Sequence, residues 1–373
     1  MSKKSVLVTG GAGFIGSFIV DELVRRGHRV RIFDNLDPQV HPSGKPPVFL
    51  NKDAEFVQGD MRDYDAVAKA VEGMEVISNH AAAVGVGQSQ YQIKYYVDVN
   101  TAGTANLLDV LANKKHKVEK MLVAASMSSY GEGMYECAEH GKVRPPIRTE
   151  AQMAAGRWEL ECPVCKATVK PVPIPETAEQ LCNSIYAVTK KDQEDMSINV
   201  GVTYGIPTVA FRYFNVYGPR QSLSNPYTGV AAIFMSRIKN GHAPVIFEDG
   251  LQSRNFVSVH DIVQINMLAM ESAGADYQSL NVGSQVVMTI KGVAEVLAKL
   301  FGKDLKPEIT NRFRKGDVRH CFSDNSKVEK LLGFKNKVSF EDGMKELIEW
   351  SREAEAVDKF DVMADEMKSK GLV

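Results

Sequence analysis

Short apolar, β-branched runs alternate with amphipathic stretches along the first part of the chain. Val6-Leu7-Val8 reads as a strand. Residues 14–26 follow as a helix, with Ile15, Ile19 and Leu23 at the spacing of one helical face. Val30-Arg31-Ile32-Phe33, Phe56-Val57, Val76-Ile77 and Met121-Leu122-Val123-Ala124 read as further strands. Helical stretches fall between them, among them residues 98–113, and a helix after Ser184 leads to another strand over residues 208–212. Strands and helices in alternation are joined by right-handed crossovers and build a parallel, doubly wound sheet. Beyond Tyr217 short strands and helices mix, as in a smaller substrate-covering lobe. The expected fold class is therefore α/β, with one large domain over residues 1–215 and a smaller α/β lobe over residues 216–373.

Residues 132–182 break the rhythm. They show neither a helical nor a strand period and hold many prolines and polar residues. A structureless loop of that length is improbable in a compact domain, so this segment reads as an insertion with its own stabilising device. The charged end, from Val357 onward, reads as a surface helix or a frayed tail.

Composition narrows the partners. Of 373 residues 44% are hydrophobic, which is ample for a large core. Lys and Arg number 45 against 46 Asp and Glu, so neither nucleic acid nor an acidic membrane is an expected partner. An anionic ligand must be met by local positive groups. No apolar run approaches the roughly 20 residues of a membrane span. The run over residues 5–9 is too brief for a signal peptide, so a cytoplasmic protein is expected.

The first strand runs into Gly10-Gly11-Ala12-Gly13-Phe14-Ile15-Gly16 and then a helix. Glycines at 10, 13 and 16 let the backbone turn tightly and approach a pyrophosphate, which the helix N-terminus attracts. The second strand ends in Asp34, eighteen positions after Gly16, where a carboxylate accepts from the adenosine ribose and repels a 2′-phosphate. This is a Rossmann-type site for NAD rather than NADP. Asp60, at the end of the third strand, is a candidate contact for the adenine; an ordinary turn residue is the alternative at both aspartates.

Tyr186-Ala187-Val188-Thr189-Lys190 places a phenol and an ammonium on one helical face. The strand before the insertion ends in a hydroxyl-rich turn, Ser126-Met127-Ser128-Ser129-Tyr130-Gly131, at the sheet edge where doubly wound folds bind ligands. Oxidation of an alcohol needs a base for its proton. Tyr186 is that candidate, with positive charge from Lys190 and from the nicotinamide favouring phenolate, and Ser126 holding the substrate oxygen. The alternative is a buried Tyr-Lys pair with no catalytic part.

With these motifs the chain resembles the extended short-chain dehydrogenase/reductase family, among its nucleotide-sugar epimerases and dehydratases. The likeness covers GGAGFIG, HAAA after the fourth strand, the turn from Ser126 to Gly131, YAVTK, RYFNVYGPRQ from Arg212, SRNFVSVHDIV from Ser253 and GDVRHCFSD from Gly316. It implies Ser126, Tyr186 and Lys190 as the catalytic set, with Lys190 also on the nicotinamide ribose. It implies a cofactor site of Gly10, Gly13, Phe14, Ile15, Gly16, Asp34, Asn35, Asp60, Met61, Ala81 and Asn100, together with Tyr186 and Lys190. Ser128 is expected beside the substrate and Asn215 beside its phosphates. Arg254 and Arg319 are expected to clamp the pyrophosphate, for which a planar, permanently charged fork is suited. A homodimer through the helices near residues 98–113 and 186–201 is also implied.

Dehydratases of this family carry Asp-Glu directly after the catalytic Thr, and its decarboxylases keep a Glu there. This chain has Met127 and Ser128, neither of which is an acid or base at neutral pH. That counts against elimination and leaves reversible oxidation, as in a 4-epimerase. Residues 36–41 and 83–89, and the Cys-containing insertion, resemble the branch acting on dTDP-L-rhamnose, which places Gln88 and Ser89 against the sugar. The alternatives are a net dehydrogenase or reductase, a dehydratase, and a non-catalytic NAD-binding regulator.

Five cysteines do not suggest a disulfide scaffold. Inside the insertion, however, Cys137-Ala138-Glu139-His140 and Cys162-Pro163-Val164-Cys165 form two short knuckles. Cys-x-x-His and Cys-x-x-Cys together offer the four ligands of a tetrahedral, structural zinc. Cys182 is the alternative fourth ligand, and free cysteines are the other reading.

Overall fold

The computed structural model describes residues 3–354 and 356–373. Its main sheet has seven strands: β1 (Ser5–Thr9), β2 (Arg29–Asp34), β3 (Glu55–Gln58), β4 (Val76–Asn79), β5 (Lys120–Ser126), β6 (Thr208–Tyr213) and β7 (Gln278–Val282). They lie in the order β7-β6-β5-β4-β1-β2-β3, and every pairing is parallel. Parallel strands covered by helices on both faces must be apolar on both faces. All seven residues of β5 and all six of β6 are buried accordingly. One face packs Leu107, Leu108 and Leu111 of the helix Gly103–Asn113. The other packs Ile19 and Leu23 of the helix Phe14–Arg25, here called α1. The order reverses between β1 and β4, which opens a crevice at their carboxyl ends.

The expected helix over residues 98–113 is present, but its first part, Val97–Ala102, is a wide π-turn. The helix bearing Tyr186 and Lys190 runs Ile185–Tyr204 and is called α2. The Ser184 side chain caps it by accepting from the Ala187 N–H at 3.1 Å. It stops at Gly205, whose φ of +66° suits a glycine C-cap.

In the second lobe, helices Val230–Lys239, Ile290–Leu300 and Phe340–Ser351 pack around Phe234, Met235, Val293, Leu297 and Leu347. They flank a small mixed sheet built from Asn215–Tyr217, Ser253–Ser258, Val287–Thr289 and His320–Cys321. Strand β7 lies beyond residue 215 in the chain yet completes the main sheet beside β6.

The insertion is a small folded unit. Strands Met134–Cys137, Gly141–Val143 and Lys170–Val172 form an antiparallel sheet over a miniature core of Tyr135, Cys137, Leu160, Cys162 and Val169. Buried charges bolt it to the second lobe. Arg148 makes two 2.8 Å bonds to Glu248. Glu132 accepts from the backbone N–H groups of Arg319 and His320 at 2.8 and 3.0 Å.

The C-terminal segment is the surface helix of the two expectations and not a frayed tail. Phe360–Ser369 is amphipathic, with Phe360, Met363 and Met367 buried against Val245 and Phe247. The charged residues that suggested exposure occupy its outer face. No helix among the described residues is long and apolar enough to cross a membrane.

Candidate active site

A single cavity of about 660 Å³ runs along the carboxyl edge of the sheet and into the second lobe. Its first end is the glycine loop. Gly10 has φ +66°, and a Cβ there would lie 2.8 Å from the Ala81 nitrogen. A Cβ on Gly16 would lie 2.2 Å from the Gly10 carbonyl oxygen. Only glycine permits this close turn. Gly13 caps α1 with no side-chain bond, so the first N–H groups of the helix stay available to an anion.

Asp34, at the end of β2, accepts from the N–H groups of Ala12 at 3.0 Å and Leu36 at 2.9 Å. Asp60 accepts from Asn35 at 3.0 Å and from Arg62, whose guanidinium holds its carboxyl down at about 2. Met61 and Ala81 line the same end of the cavity, with Phe14 and Ile15. Asn100 is fully buried behind the wall, not on it. It pins the loop after β4 by bonding Ala83 N and O at 2.7 and 3.1 Å.

Ser126 ends β5, and Tyr186 and Lys190 face it from the first turns of α2; all three line the cavity. Ser126 Oγ accepts from the Ser128 hydroxyl at 2.9 Å. Burial pushes the Tyr186 phenol up to about 12, with the Ser126 side chain opposing. Burial also pushes the Lys190 ammonium down to about 7, with Glu194 opposing. Lys190 Nζ donates to Gln193 Oε1 at 2.6 Å. His80 lies across the cavity wall, its ring stacked on Tyr213 at 6.3 Å. Burial and the Lys190 charge pull it down to about 3.

At the far end stand Asn215, Arg254 and Arg314. Asn215 carries a buried amide oxygen with no protein partner. Arg254 is held by the carbonyls of Ser253 and Arg319 at 2.8 and 2.9 Å. Gln88 and Ser128 line the cavity, whereas Ser89 is buried and its hydroxyl accepts from Tyr186 N at 3.0 Å.

Arg319 corrects an expectation. Its guanidinium is fully buried and shared among Glu159 at 2.6 Å, Asp249 at 2.6 Å and Glu248 at 3.0 Å. It does not line the cavity, and three carboxylates already take its donors. Arg314, five residues earlier in the chain, does line it and was missed. Its one available signal was its place two residues before the matched run that starts at Gly316.

The profile of the NAD dependent epimerase/dehydratase family matches residues 6–151, and that of GDP-mannose 4,6 dehydratase matches residues 168–347. The chain is 34% identical over 350 residues to a dTDP-L-rhamnose 4-epimerase of Burkholderia thailandensis, covering 93% of this chain and 94% of the other. The chain belongs to the NAD-dependent epimerase/dehydratase family. The structure of a UDP-glucose 4-epimerase from Thermotoga maritima, with UDP-glucose, aligns at a TM-score of 0.77 and 31% identity, over 93% of this chain and 98% of that one. A UDP-glucose 4-epimerase of Thermus thermophilus in complex with NAD aligns at 0.74 and 30% identity, over 94% and 100%.

The residues fit the dinucleotide of this family. Three glycines whose added Cβ would press on backbone, an uncapped helix start and a carboxylate closing β2 form its cradle. The enzyme is NAD-dependent.

In the insertion, the ligand atoms of Cys137, His140, Cys162 and Cys165 all lie within 4.8 Å of one another. Cys137 Sγ is 3.6 Å from both His140 Nδ1 and Cys165 Sγ, and Cys162 Sγ is 3.7 Å from His140 Nδ1. These separations suit four ligands placed about 2.0–2.3 Å from one tetrahedral ion. Backbone N–H groups of Glu139 and His140 draw the Cys137 thiol towards thiolate. Cys182 stands outside this group, its thiol on the Ser129 carbonyl.

Proposed function

We propose that this enzyme inverts carbon 4 of a neutral nucleotide-linked 6-deoxysugar, converting dTDP-L-rhamnose to dTDP-6-deoxy-L-talose. The observation that carries this reading is the Ser126–Tyr186–Lys190 set with Met127 and Ser128 beside it. An alcohol can be oxidised there, and no neighbouring carboxyl serves elimination. The carboxylates lining the cavity are Asp34, Asp37, Asp60 and Asp317, among the described residues. Asp34 and Asp60 lie at the cofactor end, Asp37 takes the Tyr95 hydroxyl, and Asp317 pairs with Arg314 at 2.9 Å.

Charge supports a neutral sugar. The Lys and Arg lining the cavity are Lys190, Arg254, Arg314 and Lys315, among the described residues. Lys190 serves the cofactor ribose and the two arginines the pyrophosphate, while Lys315 pairs with Glu150 at 3.2 Å. None remains to neutralise a sugar carboxylate. The 34% identity to a dTDP-L-rhamnose 4-epimerase points the same way.

Bound NAD supplies the acceptor for hydrogen at carbon 4 and later its donor. Tyr186 takes the proton of the carbon-4 hydroxyl, and Ser126 holds that oxygen in line by a hydrogen bond. Burial raises the phenol, so positive charge is needed to favour its phenolate; Lys190 stands one helical turn on, and the nicotinamide of bound NAD would add a second positive charge. On return, Tyr186 gives the proton back to the carbon-4 oxygen of a sugar that has turned within the cavity and presents its opposite face to the cofactor.

Incubation with dTDP-L-rhamnose, UDP-glucose and UDP-glucuronate in deuterated water, read by NMR, tests this. Inversion at carbon 4 of dTDP-L-rhamnose without deuterium uptake is expected. Deuterium at carbon 3 or 5 overturns the route, and net release of NADH would favour a dehydrogenase.

Zinc held by Cys137, His140, Cys162 and Cys165 is the second part of the reading. It would cross-link a unit whose apolar core is only five residues. Metal analysis is expected to find about one zinc per chain; a zinc-free protein of full thermal stability refutes it. The assembly we propose is a homodimer through the helices around residues 97–113 and 185–204, where Val97 and Val188 are exposed. Sedimentation as a monomer refutes it.

A further inference from the structure

The C-terminal helix Phe360–Ser369 has no part in the chemistry above, yet its inner face is a wall of the cavity. Met363 and Met367 line it, as does Leu372 just beyond the helix. Met367 reaches towards the reacting end. Its ε-methyl would lie 3.0 Å from a Cβ at Gly87, so that glycine leaves the room it occupies. The residues after Gly87 lead directly to the catalytic tyrosine. Gln88 Oε1 accepts from the Tyr96 hydroxyl at 2.9 Å, and Ser89 Oγ accepts from Tyr186 N at 3.0 Å. The rings of Tyr96 and Tyr186 meet edge to face at 6.4 Å. Met367 therefore lies beside the segment that leads to Tyr186, and away from the glycine loop that cradles the dinucleotide.

The helix is latched in place. Tyr227 donates its hydroxyl to the Glu366 carboxylate and lies 2.7 Å from the Tyr91 hydroxyl. Lys315 N donates to Leu372 O at 3.0 Å. Asp358 takes His242 at 2.7 Å and Arg237 at 3.3 Å.

We propose that this helix closes the sugar compartment with an apolar wall and that Met367 selects a sugar whose carbon 6 is a methyl group. The inference rests on the reading of the site as a nucleotide-sugar 4-epimerase and names the feature of the sugar that it recognises. A thioether and its methyl give neither a hydrogen bond nor a counter-ion. A 6-hydroxyl or a carboxylate placed against them is desolvated without a partner, whereas a methyl is not. An apolar wall rejects an added hydroxyl by about 10²-fold.

The test compares kcat/KM for dTDP-L-rhamnose and its 6-hydroxy counterpart, dTDP-L-mannose. The parent enzyme should prefer the 6-deoxysugar by about 10²-fold, and Met367→Leu should keep that preference. Met367→Gln should cut it to below about tenfold. A folded Met367→Gln enzyme with the parent's ratio overturns the proposal. A parent that turns over neither sugar overturns the preceding reading instead. Limited proteolysis of the parent covers that case and a misfolded variant: the sugar it does turn over should slow cleavage within residues 357–373, and NAD alone should not. Equal cleavage with and without that sugar overturns the wall.

Discussion

Exchange of Arg319 against exchange of Arg314 separates a structural cation from a ligand-binding one. Arg319→Met removes a guanidinium shared by Glu159, Glu248 and Asp249. Glu248 keeps Arg148, and Glu159 keeps His320 at 3.1 Å, but the cluster loses its central charge in a site where the Arg319 and Glu248 side chains are fully buried. Breaking a buried pair from one side costs about 3–5 kcal/mol. Over 373 residues, at roughly 2.1 cal/mol/K each, the unfolding entropy is about 0.8 kcal/mol/K. The melting temperature should then fall by about 4–6 °C. Substrate KM should barely move. Arg314→Met is the mirror image. Arg314 is 39% exposed and, among the described residues, its one ion pair is with Asp317, so stability changes by less than about 1 kcal/mol. Loss of a charge-assisted bond to a phosphate should raise KM by about 10–10²-fold. Calorimetry and steady-state kinetics on both variants decide the matter. An Arg319→Met enzyme with an unchanged melting temperature and a raised KM would refute the assignment.

The other expectations are as direct. Tyr186→Phe should lower kcat by about 10²–10⁴-fold with KM little changed, since only the proton acceptor is lost; a kcat near the parent's would remove Tyr186 as the base. Gly16→Ala should abolish NAD retention, because its Cβ falls 2.2 Å from the Gly10 oxygen; the bound-dinucleotide absorbance of purified protein reads this, and normal NAD content would refute the cradle. His80 sits near 3 in the fold against about 6.5 in the unfolded chain, so the unfolded state alone takes its proton between those values. Stability is intact above pH 6.5 and is lost as pH falls towards 3, by up to about 1.4 kcal/mol per pH unit. His80→Gln should flatten that slope in acid denaturation curves, and an unchanged slope would contradict the burial of His80 as neutral.

What lies close together in the chain could be read from it. The strand, glycine loop and helix over residues 6–25 declare themselves by period and by glycine spacing, because a pyrophosphate cradle is a local turn. Tyr186 and Lys190 share a face because four residues make about one helical turn. The two knuckles in the insertion show their ligand types directly, though only the fold excludes Cys182 from the cluster. Other features depend on contacts between distant segments. Arg319 and Arg314 look equally suited to a phosphate; Glu159 and Glu248, 160 and 71 residues from Arg319, bury one and leave the other facing the cavity. The charged composition after Val357 concealed an apolar face, since three inward residues in a ten-residue helix are outnumbered by polar ones. The depressed ammonium of Lys190 and the raised phenol of Tyr186 come from desolvation, which packing alone decides. The chain by itself determined the fold class, the glycine loop and a candidate trio, Ser126, Tyr186 and Lys190, that the fold brings to one cavity. Tertiary structure decided which cations line the cavity and which late residues wall it, because burial and charge pairing arise between residues that sequence spacing does not relate.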